Sequence, residues 1–88
     1  MVLKLAAGVQ VRKESWGLLF YSQDQHRLLF VRSGNWLLPH HLDGRWTVDG
    51  IAADISHSLS RPPGAVASVL QKTVNSLVTG GMVYLGLR

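Results

Sequence analysis

The chain has 88 residues, 47% of them apolar and only 16% charged, with nine basic side chains against five acidic ones and a formal net charge of +4. That length supports one domain around one core, so a single domain over residues 1–88 is expected. The composition folds rather than stays disordered, yet a charged share below the usual value of about 25% leaves apolar surface that calls for a partner. There is no cysteine, which excludes disulfides, zinc–thiolate sites, iron–sulfur clusters and thiol nucleophiles. No apolar run reaches the ~20 residues of a membrane helix, and the apolar part of MVLKLAAGVQVRKE is too short for a secretion signal. A soluble, cytoplasmic protein is expected. The basic residues are scattered, with Arg12 and Lys13 the only adjacent pair, whereas nucleic-acid binders concentrate theirs in a patch or stripe.

In chain order, Val9–Glu14 alternates loosely and reads as an edge strand. Trp16–Tyr21, rich in aromatic and aliphatic residues, reads as a second strand. A polar connection, Ser22–Gln25, has hairpin length, and His26–Arg32 gives a third strand that Ser33-Gly34-Asn35 ends. Neither apolar run in WGLLFYSQDQHRLLFV alternates cleanly, so both faces of this meander are apolar. Trp36–Leu42 reads as a short helical turn limited by Pro39, since proline costs about 3 kcal/mol in a helix interior. Asp43-Gly44 reads as a turn.

Thr47 is then a helix N-cap, with Val48, Ile51, Ala52, Ile55 and Leu59 at helical spacing. Trp46 and Ile51 stand as a hydrophobic staple. Ser60–Gly64 stops this helix, and Pro63 opens the next. Its stripe is Val66, Val69, Leu70, Val74, Leu77 and Val78, closed by Gly80-Gly81. Met82–Leu85 adds a short strand or tucks under the sheet. Strands first and helices second predict an α+β domain: a three-stranded antiparallel sheet followed by three helices.

Catalytic chemistry finds little support. Adjacent His40 and His41 diverge in either a strand or a helix and chelate poorly together, so they read as loop and surface residues. Ser56 and His57 diverge for the same reason and make no triad. No pair of acids is placed for acid–base work, and no glycine-rich phosphate loop is present. No enzymatic activity, metal or cofactor is expected. Read as a recognition helix, the last helix offers Gln71, Lys72 and Asn75 but no arginine, which is thin for DNA; a small winged-helix nucleic-acid-binding regulator is the alternative reading. The third strand is an apolar edge, and such an edge aggregates unless it is covered or used. Strand addition by a peptide is one use; cover by Met82–Leu85, or by a second copy in a weak homodimer, is the other.

VQVRKESWGLLFYSQDQHRLLFV, the LDG turn, the T-V-x-x-I helix start and the glycine-terminated last helix together resemble the PqqD-like family of RiPP recognition elements, or peptide chaperones. WGLLFY and R-L-x-F-V are similar to the corresponding segments of mycofactocin-type and GeoRSP-type members. The resemblance runs from about Gly8 to Met82, carries no catalytic signature, and departs from the family at WLLPHH, where members have a regular helix. It implies a winged-helix-like fold. It also implies binding of a precursor's leader peptide as an added strand, for presentation to a radical SAM/SPASM-type enzyme. On this chain the edge would be Arg27, Leu28, Leu29, Phe30, Val31 and Arg32, and the helical wall Val66, Val69, Leu70, Lys72, Thr73 and Leu77. Lys72 and Arg32 would pair with acidic leader residues.

Overall fold

The computed structural model describes residues 1–87. Strand β2 (Val9–Glu14) pairs antiparallel with β3 (Gly17–Ser22), which pairs antiparallel with β4 (Arg27–Val31). The registers Val11↔Phe20↔Leu29 and Lys13↔Leu18↔Val31 place these side chains on one face of the meander. Leu18 and Phe20 on that face are completely buried, and Leu29 and Val31 pack against the core. Burying each large apolar side chain contributes about 1.5–3 kcal/mol. The opposite face carries Leu19, Tyr21, Leu28 and Phe30, and among the described residues no helix covers it.

Helix α1 (Val48–Leu59) starts where the Thr47 hydroxyl accepts from the Gly50 N–H at 3.0 Å, with Asp49 in the first turn favourable to the helix dipole. Trp46, just before the cap, packs on the core that contains Ile51. The helix ends as Ser60 turns left-handed at φ 52°. Helix α2 (Pro63–Thr79) has proline in its first turn and buries Val66, Leu70, Val74 and Leu77. At its end Gly81 (φ 76°) donates to Val78 O, and Met82 donates to Leu77 O, both at 3.0 Å. These are the paired bonds of a Schellman stop.

The expectation of one three-stranded sheet followed by three helices, in a winged-helix-like arrangement, is corrected by a second antiparallel sheet of order β5-β1-β6. It is built from β1 (Val2–Leu5), β5 (Asp43–Thr47) and β6 (Val83–Gly86). Two α-helices are present among the described residues, not three. Trp36–Leu42 yields only a 3-10 turn, Pro39–Leu42, because Pro39 has no N–H to donate into a longer helix. Asp43-Gly44, expected as a turn, opens β5 instead, with Gly44 at φ 87° against the Lys4 side chain. The second sheet has a reason that local pattern does not carry. β1 gains backbone partners only from segments some 40 and 80 positions away, through Val2↔Thr47 and Leu3↔Leu85. Among the described residues no helix is long and apolar enough to cross a membrane.

Gly17 is the tightest point of the meander. At φ 151°, a Cβ built there would lie 1.9 Å from the Val31 carbonyl oxygen, closer than any real contact. Gly17→Ala is therefore expected to cost about 2 kcal/mol or more of folding free energy. Urea unfolding measures it, and a loss under about 0.5 kcal/mol would show that β3 and β4 part easily at this point.

A candidate binding site at an open sheet edge

Strand β4 has one neighbour, β3. The C-terminal segment that was an alternative cover for it pairs with β1, through Leu5↔Val83 and Lys4↔Tyr84. Among the described residues the outer edge of β4 is thus unpaired. The close approach of the Val31 carbonyl to Gly17 shows that this carbonyl faces β3. Backbone groups alternate sides along an antiparallel strand, so Arg27, Leu29 and Val31 bond to β3. Leu28 and Phe30 then turn their N–H and C=O groups to the open side.

Among the described residues four strand edges are open, and they differ. β2 carries Arg12, Lys13 and Glu14, with an Arg12–Glu14 ion pair at 2.6 Å, the kind of charge that protects an edge. β5, as long as β4, begins with Asp43 and Gly44 and ends in Thr47, and β6, one residue shorter, starts at Val83, ends in Gly86 and exposes Tyr84 and Leu85 less than β4 exposes its apolar pair. β4 is RLLFV, with Leu28 56% and Phe30 61% exposed. Trp16 leans on Phe30 with ring centroids 5.7 Å apart, extending the apolar outer face.

On the inner side of the edge lies α2. Gly80 is so close to β4 that a Cβ there would sit 3.4 Å from Leu29 Cδ2. Val69, Thr73, Ser76 and Gly80 recur at three- and four-residue spacing, so they form one flank of the helix. The Thr73 hydroxyl donates to Val69 O at 3.1 Å, which presents its methyl group rather than a free donor to this flank. At the far end of the flank, where α1 meets α2, Trp36, Ile55, Leu59, Arg61, Ala65, Val66 and Val69 line an open pocket of about 270 Å³.

The twelve residues expected to bind divide into groups. Arg27, Leu28, Phe30 and Arg32 are exposed at or beside the open edge, while Leu29 and Val31 are half-buried on its inner side. Val69 is 54% exposed, Thr73 is half-buried and Lys72 is exposed one position further round the helix. Leu70 and Leu77 are completely buried and Val66 nearly so; they hold α2 in place, and of the three only Val66 borders the pocket. The sequence reading missed Trp36, Leu59 and Arg61, which come together only when the helical corner folds back over the chain leaving β4. A clue existed in Leu59, an apolar residue next to a helix stop.

His41 is not a surface residue. It is 1% exposed, and its Nδ1 accepts the Leu38 N–H at 3.0 Å. The proton must then reside on Nε2, which donates to Asp54 Oδ2 at 2.8 Å. His40, His41 and Asp54 bring ligand atoms within 4.8 Å of one another, but a metal on Nε2 would leave both His41 ring nitrogens acting as acceptors, the costly imidazolate form. The arrangement is a clamp that fastens the 3-10 turn to α1, with the Trp46 ring edge-on to His41 at 5.4 Å.

No family model, no curated protein and no solved structure matches this chain.

His41→Ala removes the clamp, opens a cavity and strands the Leu38 N–H. A loss of about 2–4 kcal/mol is expected, with Asp54→Ala losing less because Asp54 is partly solvated. Chemical denaturation of both variants checks the order; equal, small losses would remove the clamp as a structural element.

Proposed function

We propose that this protein is a non-enzymatic peptide-binding chaperone that takes an extended segment as a fourth strand on β4, between that edge and α2. The observation that carries the reading is the open edge itself. An apolar strand offers the N–H and C=O groups of Leu28 and Phe30 to one side, with the Val69–Gly80 flank of a helix beside it. Strand addition derives affinity from main-chain hydrogen bonds and specificity from pockets for alternate side chains; the open backbone groups support the first, and the corner pocket beside Val69 supports the second. The resemblance of WGLLFY and RLLFV to PqqD-like proteins supplies the fuller version of the proposal. The peptide is then the leader of a ribosomally made precursor, held in the cytoplasm for a radical SAM enzyme that performs the chemistry.

Backbone amide shifts followed by NMR during titration with a candidate leader peptide test the mode. Shifts are expected across residues 26–32 and along the 69–80 flank, and shifts confined elsewhere would sink it. Phe30→Pro removes a donor from the open side, where proline is tolerated in an edge strand, and is expected to weaken binding at least about tenfold, or ~1.4 kcal/mol. Phe30→Ala keeps the donor and is expected to retain most of the affinity. Equal losses from the two would mean that the side chain, not strand pairing, binds.

A further inference from the structure

Four cations surround the edge and the helical corner: Arg27 and Arg32 bracket the apolar run of β4, Lys72 stands on the rim of α2, and Arg61 borders the corner pocket. Among the described residues none of the four is in an ion pair; the pairs found are Arg12–Glu14 and Arg45–Asp43, while the neutral His41 ring hydrogen-bonds Asp54. The five acids lie elsewhere in the sequence, at Glu14, Asp24, Asp43, Asp49 and Asp54, and Asp54 is held by His41.

Arg61 is fixed in place. Its N–H donates to Ser56 O at 3.1 Å, and its carbonyl accepts the Ser56 hydroxyl. Those bonds tie the residue after the left-handed Ser60 to the last turns of α1, so its guanidinium has a defined origin at the pocket. The pocket itself is walled by aliphatic side chains and the Trp36 ring. At about 270 Å³ it falls below the ~300–1,000 Å³ of sites that enclose a whole small molecule. It suits one bulky side chain.

We propose that this corner pocket is the anchor subsite of the groove, receiving one large aliphatic or aromatic side chain of the bound peptide while an adjacent acidic residue pairs with Arg61. The inference rests on the strand-addition reading and adds to it the class of peptide: an apolar centre with acidic neighbours. A second copy of the chain is the poorer occupant. Antiparallel pairing of β4 with itself brings the Arg27 end of one copy to the Arg32 end of the other, gathering cations at both ends with no acid to offset them.

The probe is a synthetic strand-forming peptide with a central Leu flanked by Glu, compared with its Leu→Ala and Glu→Lys versions by fluorescence anisotropy on the full chain. Leu→Ala and Glu→Lys are each expected to weaken binding about tenfold or more, with the acidic peptide's affinity falling as salt rises. Arg61→Glu is expected to reproduce the Glu→Lys loss and to recover affinity when paired with the Glu→Lys peptide. Ala65→Phe, which fills the pocket from an exposed position, should mimic Leu→Ala. The tryptophan emission should shift to the blue on binding, and Trp36→Phe should remove the pocket's share of that change, leaving the share of Trp16 beside Phe30. If all three peptides bind alike and Arg61→Glu changes nothing, the anchor subsite is wrong while strand addition stands. If none of them binds and amide shifts are absent from β4, the strand-addition reading falls with it.

Discussion

Strand β3 is apolar on both faces, and the chain has enough material to cover only one. Leu18 and Phe20 turn inward and are sealed by the helices and the second sheet. Leu19 and Tyr21 turn outward, beside Leu28 and Phe30 of β4. Among the described residues two helices and six short strands close one core and leave the other side of the meander as an aromatic and aliphatic surface. Exposed apolar area of this kind, concentrated next to an unpaired strand, is where soluble proteins meet partners.

The second sheet decides how that edge is left. β6 has the composition to pair with any apolar strand, but it follows α2 through the tight Gly80-Gly81 stop, and its register runs along β1 from Leu5↔Val83 to Val2↔Gly86. β5 takes the other side of β1. The two ends of the chain and the segment before α1 thereby satisfy one another's backbone groups. None of the described segments is left to close β4. The same arrangement buries Leu3 and Val83 in the core with the inner faces of both helices, so the sheet that withholds a partner from the edge also supports the helix that forms its opposite wall.

Much of this was legible locally. The meander over residues 9–32 follows from aliphatic and aromatic runs separated by a polar hinge, Thr47 is a cap because its hydroxyl reaches the Gly50 N–H, and Gly80-Gly81 stops a helix because Gly81 takes a positive φ. Asp43–Thr47 was not legible. DGRWT carries turn residues and no clean alternation, and it becomes a strand only because β1 offers it a partner. His41 misled for a related reason: nothing in the sequence says that a histidine beside a proline turn will find Asp54 thirteen positions on and sink into the core. Pairings over such separations gain nothing until the fold has brought the segments together.

The division for the binding edge is the same. RLLFVR by itself determined that a short apolar strand bracketed by cations would exist, since side-chain composition and spacing are local properties. Only the tertiary structure decided that this strand would stay unpaired, that Leu28 and Phe30 would turn their backbone groups outward, and that Trp36, Leu59 and Arg61 would meet at the corner. Those outcomes depend on which distant segment occupies which hydrogen-bonding edge, a competition settled by the whole chain rather than by any stretch of it.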